Sequence, residues 1–437
     1  MKSRLLKKVR SKRNLESAWK VIEENGRSSK SKTVRNEIER FREDPTKNIE
    51  LLYRSLQKGT FVFPPAKGIA LPKDKSPGAV AAPASIRPIV LAKVESRIVQ
   101  RSVLNVLTDL PGLQRYIDNP HSFGGLRKTE PQRLSAVPAA VSSVLDEIGA
   151  GAKFVMSADI SGFFTRIPKS AVTSLISEAA ADPEFVQFFE KAIHVELANM
   201  AELRELGSKF PIEDLGVAQG NSLSPLLGNI LLNDFDHQMN AGDCRCKRYI
   251  DDFIILAPNA AAAASRMRLA QRLLSKFGME LSASKTSKSP ISIDDGFDFL
   301  GIQFANGFVR PSQKARTKLV QNVESEFKKS MQAFHACRTD APFDSTLSFV
   351  ATLKRVDGII RGWGKHYYFC NDADLFARID ARLDELLRSY AGNYAGCRER
   401  TRLDRRRSLL GVERLTDMER RPFRWPKDGA KIFKIMA

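Results

Sequence analysis

Cysteine is scarce in this chain and badly spaced for structural work. The five cysteines, at 244, 246, 337, 370 and 397, form no CxxC pair and have no matching pair of histidines. A structural zinc site is therefore not expected, nor is a disulfide framework in a chain of 437 residues. Reduced thiols in a cytoplasmic protein are the expectation. Long apolar runs are missing as well: none reaches about 18 residues, so no membrane span is expected. The opening stretch MKSRLLKKVRSKRNLESAW is basic but lacks the apolar centre of a signal peptide. Acid is in deficit, with 50 Asp and Glu against 70 Lys and Arg and a formal net charge of +20. One reading of that excess is solubility; the other is a polyanionic partner, most commonly nucleic acid.

What is present suits a folded protein. Hydrophobic residues make up 43% of the chain, and its length calls for two to four subdomains. Residues 1–60 alternate basic clusters with helical patterns, and a Pro/Ala/Gly-rich stretch follows that reads as loop and short strands. AKVESRIVQRSVLNVL predicts a helix with Val94, Ile98, Val99, Val103 and Val106 on one face. KFVMSADISGFF (153–164) reads as a strand ending in an acidic turn, and 168–205 as helical. SPLLGNILLNDFDHQM reads as an amphipathic helix, and NAAAAASRMRLAQRLLSKFG as a helix closed by Gly278. FDFLGIQFANGFV predicts a hairpin turning at Asn306-Gly307, with helices from 312 onward. Over 153–305 the order is strand, helix, helix, hairpin, helix, hairpin, which predicts an antiparallel sheet backed by helices, an α+β fold.

One segment breaks the apolar pattern at a cost. CKRYIDDFIILAP (246–258) sets Asp251 and Asp252 side by side inside a hydrophobic run. Adjacent carboxylates repel, and both lose solvation on burial. Most such pairs are solvated turns, but a solvated turn does not need FIIL behind it. Placed at the tip of a tight hairpin, with Asp159 ending another strand of the same sheet, three carboxylates would converge. A hard divalent cation would relieve their repulsion, and two such ions can clamp the attacking and leaving oxygens of a phosphoryl displacement.

In this company the residues resemble a known family, the reverse transcriptases, and within it the bacterial group II intron-like branch. SADISGFF is similar to the first metal-binding motif and AQGNSLSPLLGNILL to the motif lining the nucleotide pocket. YIDD is similar to the Tyr-x-Asp-Asp turn, GMELSASKT to the following lysine motif and FDFLGIQF to the primer-grip hairpin. RPIVLAKVESRIVQ and HSFGGLRK resemble fingers motifs. The seven occur in family order, within a match from about residue 15 to 395. The resemblance implies a right-hand polymerase. A basic, helical extension over 1–70 would precede fingers at 71–150. A palm with an antiparallel sheet would span 151–310, with part of the fingers at 166–215. A helical, maturase-like thumb at 311–395 and a basic tail at 396–437 would follow.

Carried over by position, Asp159, Asp251 and Asp252 would be catalytic and hold two Mg²⁺, with Mn²⁺ a possible substitute and the backbone of Ile160 assisting. Phe164 stands at the steric-gate position and would select deoxynucleotides; its other reading is a core aromatic beside Phe163. Gln219 and Gly220 would contact the dNTP, Arg87 would clamp its triphosphate, and Lys73 or Lys75 would assist. Lys285 is a candidate general acid for pyrophosphate, or a solvated lysine. Leu300 and Gly301 fall in the primer grip. In GIIRGWGKHYYF (358–369), which resembles the start of the thumb helices, Arg361, Lys365 and His366 would meet a duplex backbone; the alternative is a packed Trp363/Tyr367/Tyr368 cluster. The Arg-rich tail 398–424 reads as an RNA contact.

The resemblance also narrows the branch. No length for ribonuclease H or integrase follows the thumb, nor a Cys-rich HNH endonuclease, and the retron marks are missing. SLSP argues against the diversity-generating branch, and the turn is YIDD where intron proteins more often carry YADD. A stand-alone, defence-associated enzyme that copies a structured noncoding RNA into cDNA from dNTPs is the expectation. An intron maturase assisting splicing and a non-catalytic RNA-binding scaffold stay open beside it.

Overall fold

Serine and aspartate punctuate the N-terminal region. In the computed structural model, which describes residues 3–29, 31–73, 86–126, 134–336, 343–416 and 418–421, they cap four helices. These are α1 (Arg4–Val9), α2 (Lys12–Arg27), α3 (Lys32–Arg42) and α4 (Pro45–Lys58), and the side chains of Ser3, Ser11, Ser31 and Asp44 each accept a backbone N–H of the first turn. Leu15, Ala18, Trp19 and Ile22 of α2 share one face and are buried with Ile38, Phe41, Leu52 and Leu56. The partner for this layer is α5 (Val94–Thr108), whose expected face of Val94, Ile98, Val99, Val103 and Val106 is buried throughout.

The chain divides into two units, Met1–Asp295 and Gly296–Ala437. In the first, β1 (Lys67–Pro72) and β2 (Ile86–Leu91) form a two-stranded antiparallel sheet. After α5 and the short α6 (Gln114–Ile117) come β3 (Ser122–Phe123), α7 (Ala136–Gly149) and β4 (Phe154–Asp159). Helices α8 (Lys169–Ala180), α9 (Pro183–Ile193), α10 (Met200–Leu203) and α11 (Ser224–Met239) lead to the hairpin β5 (Arg245–Tyr249) and β6 (Asp252–Ala257). Next are α12 (Ala260–Ser275), capped by Asn259, and β7 (Ile291–Ser292). The five-stranded sheet has the order β3-β5-β6-β4-β7. Alternation along its strands sends Met156, Ala158, Phe253, Ile255 and Cys246 into one core with α11 and α12.

Two sequence expectations need correction. The sheet is not wholly antiparallel, because β3 runs parallel to β5; HSFGG, assigned to the fingers range, thus contributes a strand beside the acidic hairpin. Helix α11 is not amphipathic: Gly228, Asn229, Leu232, Asn233 and Asp236 are buried along with the expected leucines. The division at Asp295/Gly296 puts the last hairpin in the second unit.

That second unit opens with a three-stranded antiparallel sheet of β8 (Phe297–Phe299), β9 (Ile302–Ala305) and β10 (Phe308–Pro311). Asn306 and Gly307 both have positive φ, as the expected two-residue turn requires. Helices α13 (Gln313–Ala336), α14 (Phe349–His366), α15 (Ala373–Glu399) and α16 (Arg406–Leu410) follow. Leu319, Val323 and Phe327 of α13 meet Leu375, Ile379, Leu383 and Tyr390 of α15 in their core. Residues 358–366 form the C-terminal half of α14. Among the described residues no helix is long and apolar enough to cross a membrane.

Candidate active site

The segments around the acids become β4, β5 and β6, and pairing of these strands brings the acids together. Asp159, the last residue of β4, lies directly opposite Asp252, the first of β6, and Asp252 lies opposite Tyr249 of β5. Asp251 sits in the intervening turn, whose carbonyl accepts the Ile160 N–H at 3.0 Å. Oxygens of Asp159, Asp251 and Asp252 all fall within 4.8 Å of one another. Asp159 is buried and the other two are partly so.

Crowded burial has the expected electrostatic effect. Asp251 is pushed above the ordinary carboxylate range by loss of solvent and then by the charge of Asp159. Asp252 is pushed up to about 7, by burial first and by Asp251 and Asp159 next. The cluster answers with a cation of its own. Backbone bonds from Ser161 to Glu280 and from Ser282 to Asp159, both 2.8 Å, tie the lysine-bearing segment to the end of β4. From there Lys285 Nζ donates to Asp159 Oδ2 at 2.6 Å. Burial alone would lower the Lys285 pKa, but the bond to Asp159 and the charge of the three acids raise it. Three carboxylates with oxygens this close are hard donors whose repulsion a divalent cation would relieve, so the residues fit such an ion.

The other expected residues fall in two groups. Arg87, on β2, is exposed, and its charge is felt by Asp251. Its strand is tied to the nucleotide-pocket motif by the Val90 N–H, which donates to the Gln219 carbonyl at 3.1 Å. Gly220 follows with φ 113° and the Val90 carbonyl close by; an added Cβ would meet that oxygen at 3.1 Å. Phe164 is partly buried in a short 3-10 turn, its ring centroid 5.2 Å from that of Phe163. Lys73 is exposed just after β1; Lys75, Arg127 and Lys128 lie outside the described residues.

Leu300, Gly301, Arg361, Lys365 and His366 belong to the second unit. Leu300 and Gly301 form the β8–β9 turn. Arg361, Lys365 and His366 are exposed on α14, with Arg361 paired to Asp357. The alternative cluster is partly real: Trp363 packs on Tyr367 at 4.6 Å, whereas Tyr368 is exposed. Of the tail 398–424, residues from 422 lie outside the described set.

Sequence reasoning missed the support behind the turn. Arg248 is fully buried and pairs with buried Asp236 of α11 at 2.6 Å. The signal was available, because Asn229, Asn233 and Asp236 recur at helical spacing on an otherwise apolar helix.

Comparison with known proteins decides the family. The profile of the family "Reverse transcriptase (RNA-dependent DNA polymerase)" matches residues 71–304, more than half of the chain. The chain belongs to the reverse transcriptase family. Its α+β fold is accordingly that of a right-hand polymerase. This reverse transcriptase is similar to Protein YkfC of Escherichia coli, 21% identical over 58% of this chain and 70% of that one. It is also similar to an uncharacterized 91 kDa protein in the cob intron of Schizosaccharomyces pombe, 26% identical over 54% of this chain. The match spans only 26% of that relative's length. Among solved structures, telomerase from Candida albicans with a fragment of telomeric RNA matches at TM-score 0.41 and 14% identity, over 80% of this chain and 61% of that one.

Proposed function

We propose that this protein is an RNA-directed DNA polymerase that copies a bound, structured noncoding RNA into cDNA in the cytoplasm. The observation that carries the reading is the convergence of Asp159, Asp251 and Asp252 on paired strand ends, with Lys285 and Arg87 beside them. Asp159, Asp251 and Asp252, with the backbone of Ile160, hold two Mg²⁺, for which Mn²⁺ can substitute. When bound, these ions neutralise charge that develops on the phosphate oxygens.

The chain's own residues do the rest. Arg87, assisted by Lys73, grips the triphosphate, and its planar guanidinium suits phosphate oxygens. Gln219 and Gly220 line the nucleotide's seat, and Phe164 crowds a ribose 2′-OH. A primer 3′-OH then attacks the α-phosphate as the bond to pyrophosphate breaks. Lys285, held beside the acids by its bond to Asp159, delivers a proton to that leaving group. In this reading the fingers fall in 71–150 and the palm in 151–310, with the hairpin that carries Leu300 and Gly301 gripping the primer. The helices of 311–395 form a thumb, where Arg361, Lys365 and His366 meet the duplex backbone.

The biological setting proposed is antiphage defence, supported by the YIDD form of the turn and the SLSP form of the pocket motif. The similarity to a protein in a cob intron favours one second reading, an intron maturase. Purifying the protein with its bound nucleic acid, adding labelled dNTPs and Mg²⁺ and sequencing the product tests the proposal. DNA complementary to a short structured RNA supports it. DNA copied from intron RNA moves the function to the maturase, and no DNA on native or primed templates removes the polymerase.

A further inference from the structure

The acidic turn contains an outlier that nucleotidyl transfer does not use. Ile250, the first of its two central residues, has φ 60°. A β-branched side chain in the left-handed region is disfavoured and persists where surrounding structure over-determines it. That surrounding structure is specific. The Ile250 carbonyl accepts a hydrogen bond from Arg248 Nη1 at 3.0 Å. Strand alternation places Asp159, Asp252 and Tyr249 on one face of the sheet and the Arg248 side chain on the other, behind the turn. There Asp236 of α11 takes Arg248 Nε and Nη2 at 2.7 and 2.6 Å, and Asn229 Oδ1 accepts from Nη1 at 3.3 Å. Asn119 and Ser122, flanking the start of β3, donate to Asp236 and Asn229 in turn, at 2.9 and 3.2 Å. The same segment presses on the turn itself. A Cβ at Gly124 would lie 2.6 Å from the Tyr249 ring, and one at Gly125 would lie 2.7 Å from Pro225 and 3.6 Å from Ile250.

We propose that Arg248 is a positioning residue for the metal-binding turn, held in place by Asp236 and fixing the peptide that links Ile250 to Asp251. A buried ion pair adds little net stability over an apolar pair of similar volume, so core packing alone gives no reason for its third contact to be this carbonyl. Guanidinium geometry does give one. Two N–H groups face one carboxylate while another remains to hold the turn, a division that a lysine cannot make. With the carbonyl pinned, Asp251 and Asp252 present their oxygens together before any cation arrives. The inference rests on the metal-site reading above and extends it to residues on the far side of the sheet.

Two variants of the full chain test it: Arg248→Lys, which keeps the charge opposite Asp236, and Arg248→Met combined with Asp236→Asn, which removes both charges. The measurements are thermal melting, Mn²⁺ binding by calorimetric titration without nucleotide, and the Mg²⁺ concentration giving half-maximal dNTP incorporation. The expected result is a folded variant whose Mn²⁺ affinity falls, and whose Mg²⁺ requirement rises, by about tenfold or more. Folded variants with wild-type values for both overturn the proposal, because Arg248 is then a core residue only. Failure of both variants to fold also overturns it, making the pair a requirement of the fold. A wild-type protein that binds Mn²⁺ but makes no DNA removes the polymerase reading and leaves this test intact. A wild type that binds no Mn²⁺ removes the inference with the site.

Discussion

Two tight hairpins in this protein solve the same backbone problem differently. The β5–β6 turn places Ile250 at φ 60° and the β8–β9 turn places Leu300 at φ 52°, both branched apolar residues in a region that suits glycine. In the second turn the next residue is Gly301, at φ 78°, which completes the pattern of a type I′ turn, and its carbonyl accepts the Ser312 N–H. In the first, the next residue is an acid, and the strained peptide is held by a fully buried guanidinium. One turn is permitted by its own sequence. The other is imposed by a network reaching to α11 and β3. That difference suits their proposed tasks, since carboxylates that must share cations need fixed positions whereas a turn that grips a primer needs only its shape.

The comparison can be broken or sharpened by substitution. The largest effect is expected at the acids, where Asp252→Asn reduces DNA synthesis to background in a primer-extension assay while RNA binding persists. Next is Arg248→Ala, which leaves Asp236 buried without its partner and costs about 3–5 kcal/mol in denaturant unfolding. Gly301→Ala in the other hairpin is milder, about 1–2 kcal/mol, because it adds a Cβ to a left-handed residue without stranding a charge. Equal losses at 248 and 301 would erase the distinction between the turns.

A pH measurement sharpens the electrostatic side. Without metal, the folded protein keeps a proton on Asp252 up to about pH 7, whereas the unfolded chain loses it near the ordinary carboxylate value of 3.8. Between those values the folded state binds more protons, so the stability from this group falls as pH rises through the window. Asp252→Asn removes that loss and raises metal-free melting at pH 8 by about 2–4 °C. Mg²⁺ should stabilise the wild type more at pH 8 than at pH 5. The smallest effect is expected from Leu300→Asn, a gain of up to about 1 kcal/mol in thermal unfolding as a side chain better suited to positive φ replaces leucine.

The acids were legible because charge inside an apolar run is costly enough to demand a reason, and because a solvated turn does not need FIIL behind it. Helix α5 and the Asn306-Gly307 turn were legible from local pattern alone. What escaped was long-range. Arg248 finds its carboxylate 12 residues away on another element, and nothing in CKRYI says where that partner lies. Strand β3 has two residues, too few to show a period, and joins the sheet through pairing with β5. Helix α11 reads as amphipathic because Asn229, Asn233 and Asp236 are polar, but all three are buried, and Asn229 and Asp236 accept from the buried guanidinium. The sequence shows one hairpin turning at Asn306-Gly307, whereas a second turn at Leu300-Gly301 adds a third strand.

The most direct test of the central claim is primer extension on a synthetic RNA template, with dNTPs or NTPs and Mg²⁺, comparing the wild type with the Asp251→Asn, Asp252→Asn double variant. The account predicts DNA from the wild type with dNTPs, little product with NTPs, and none from the variant. Equal product from both proteins would contradict it, because the three converging acids would then not be the site of synthesis.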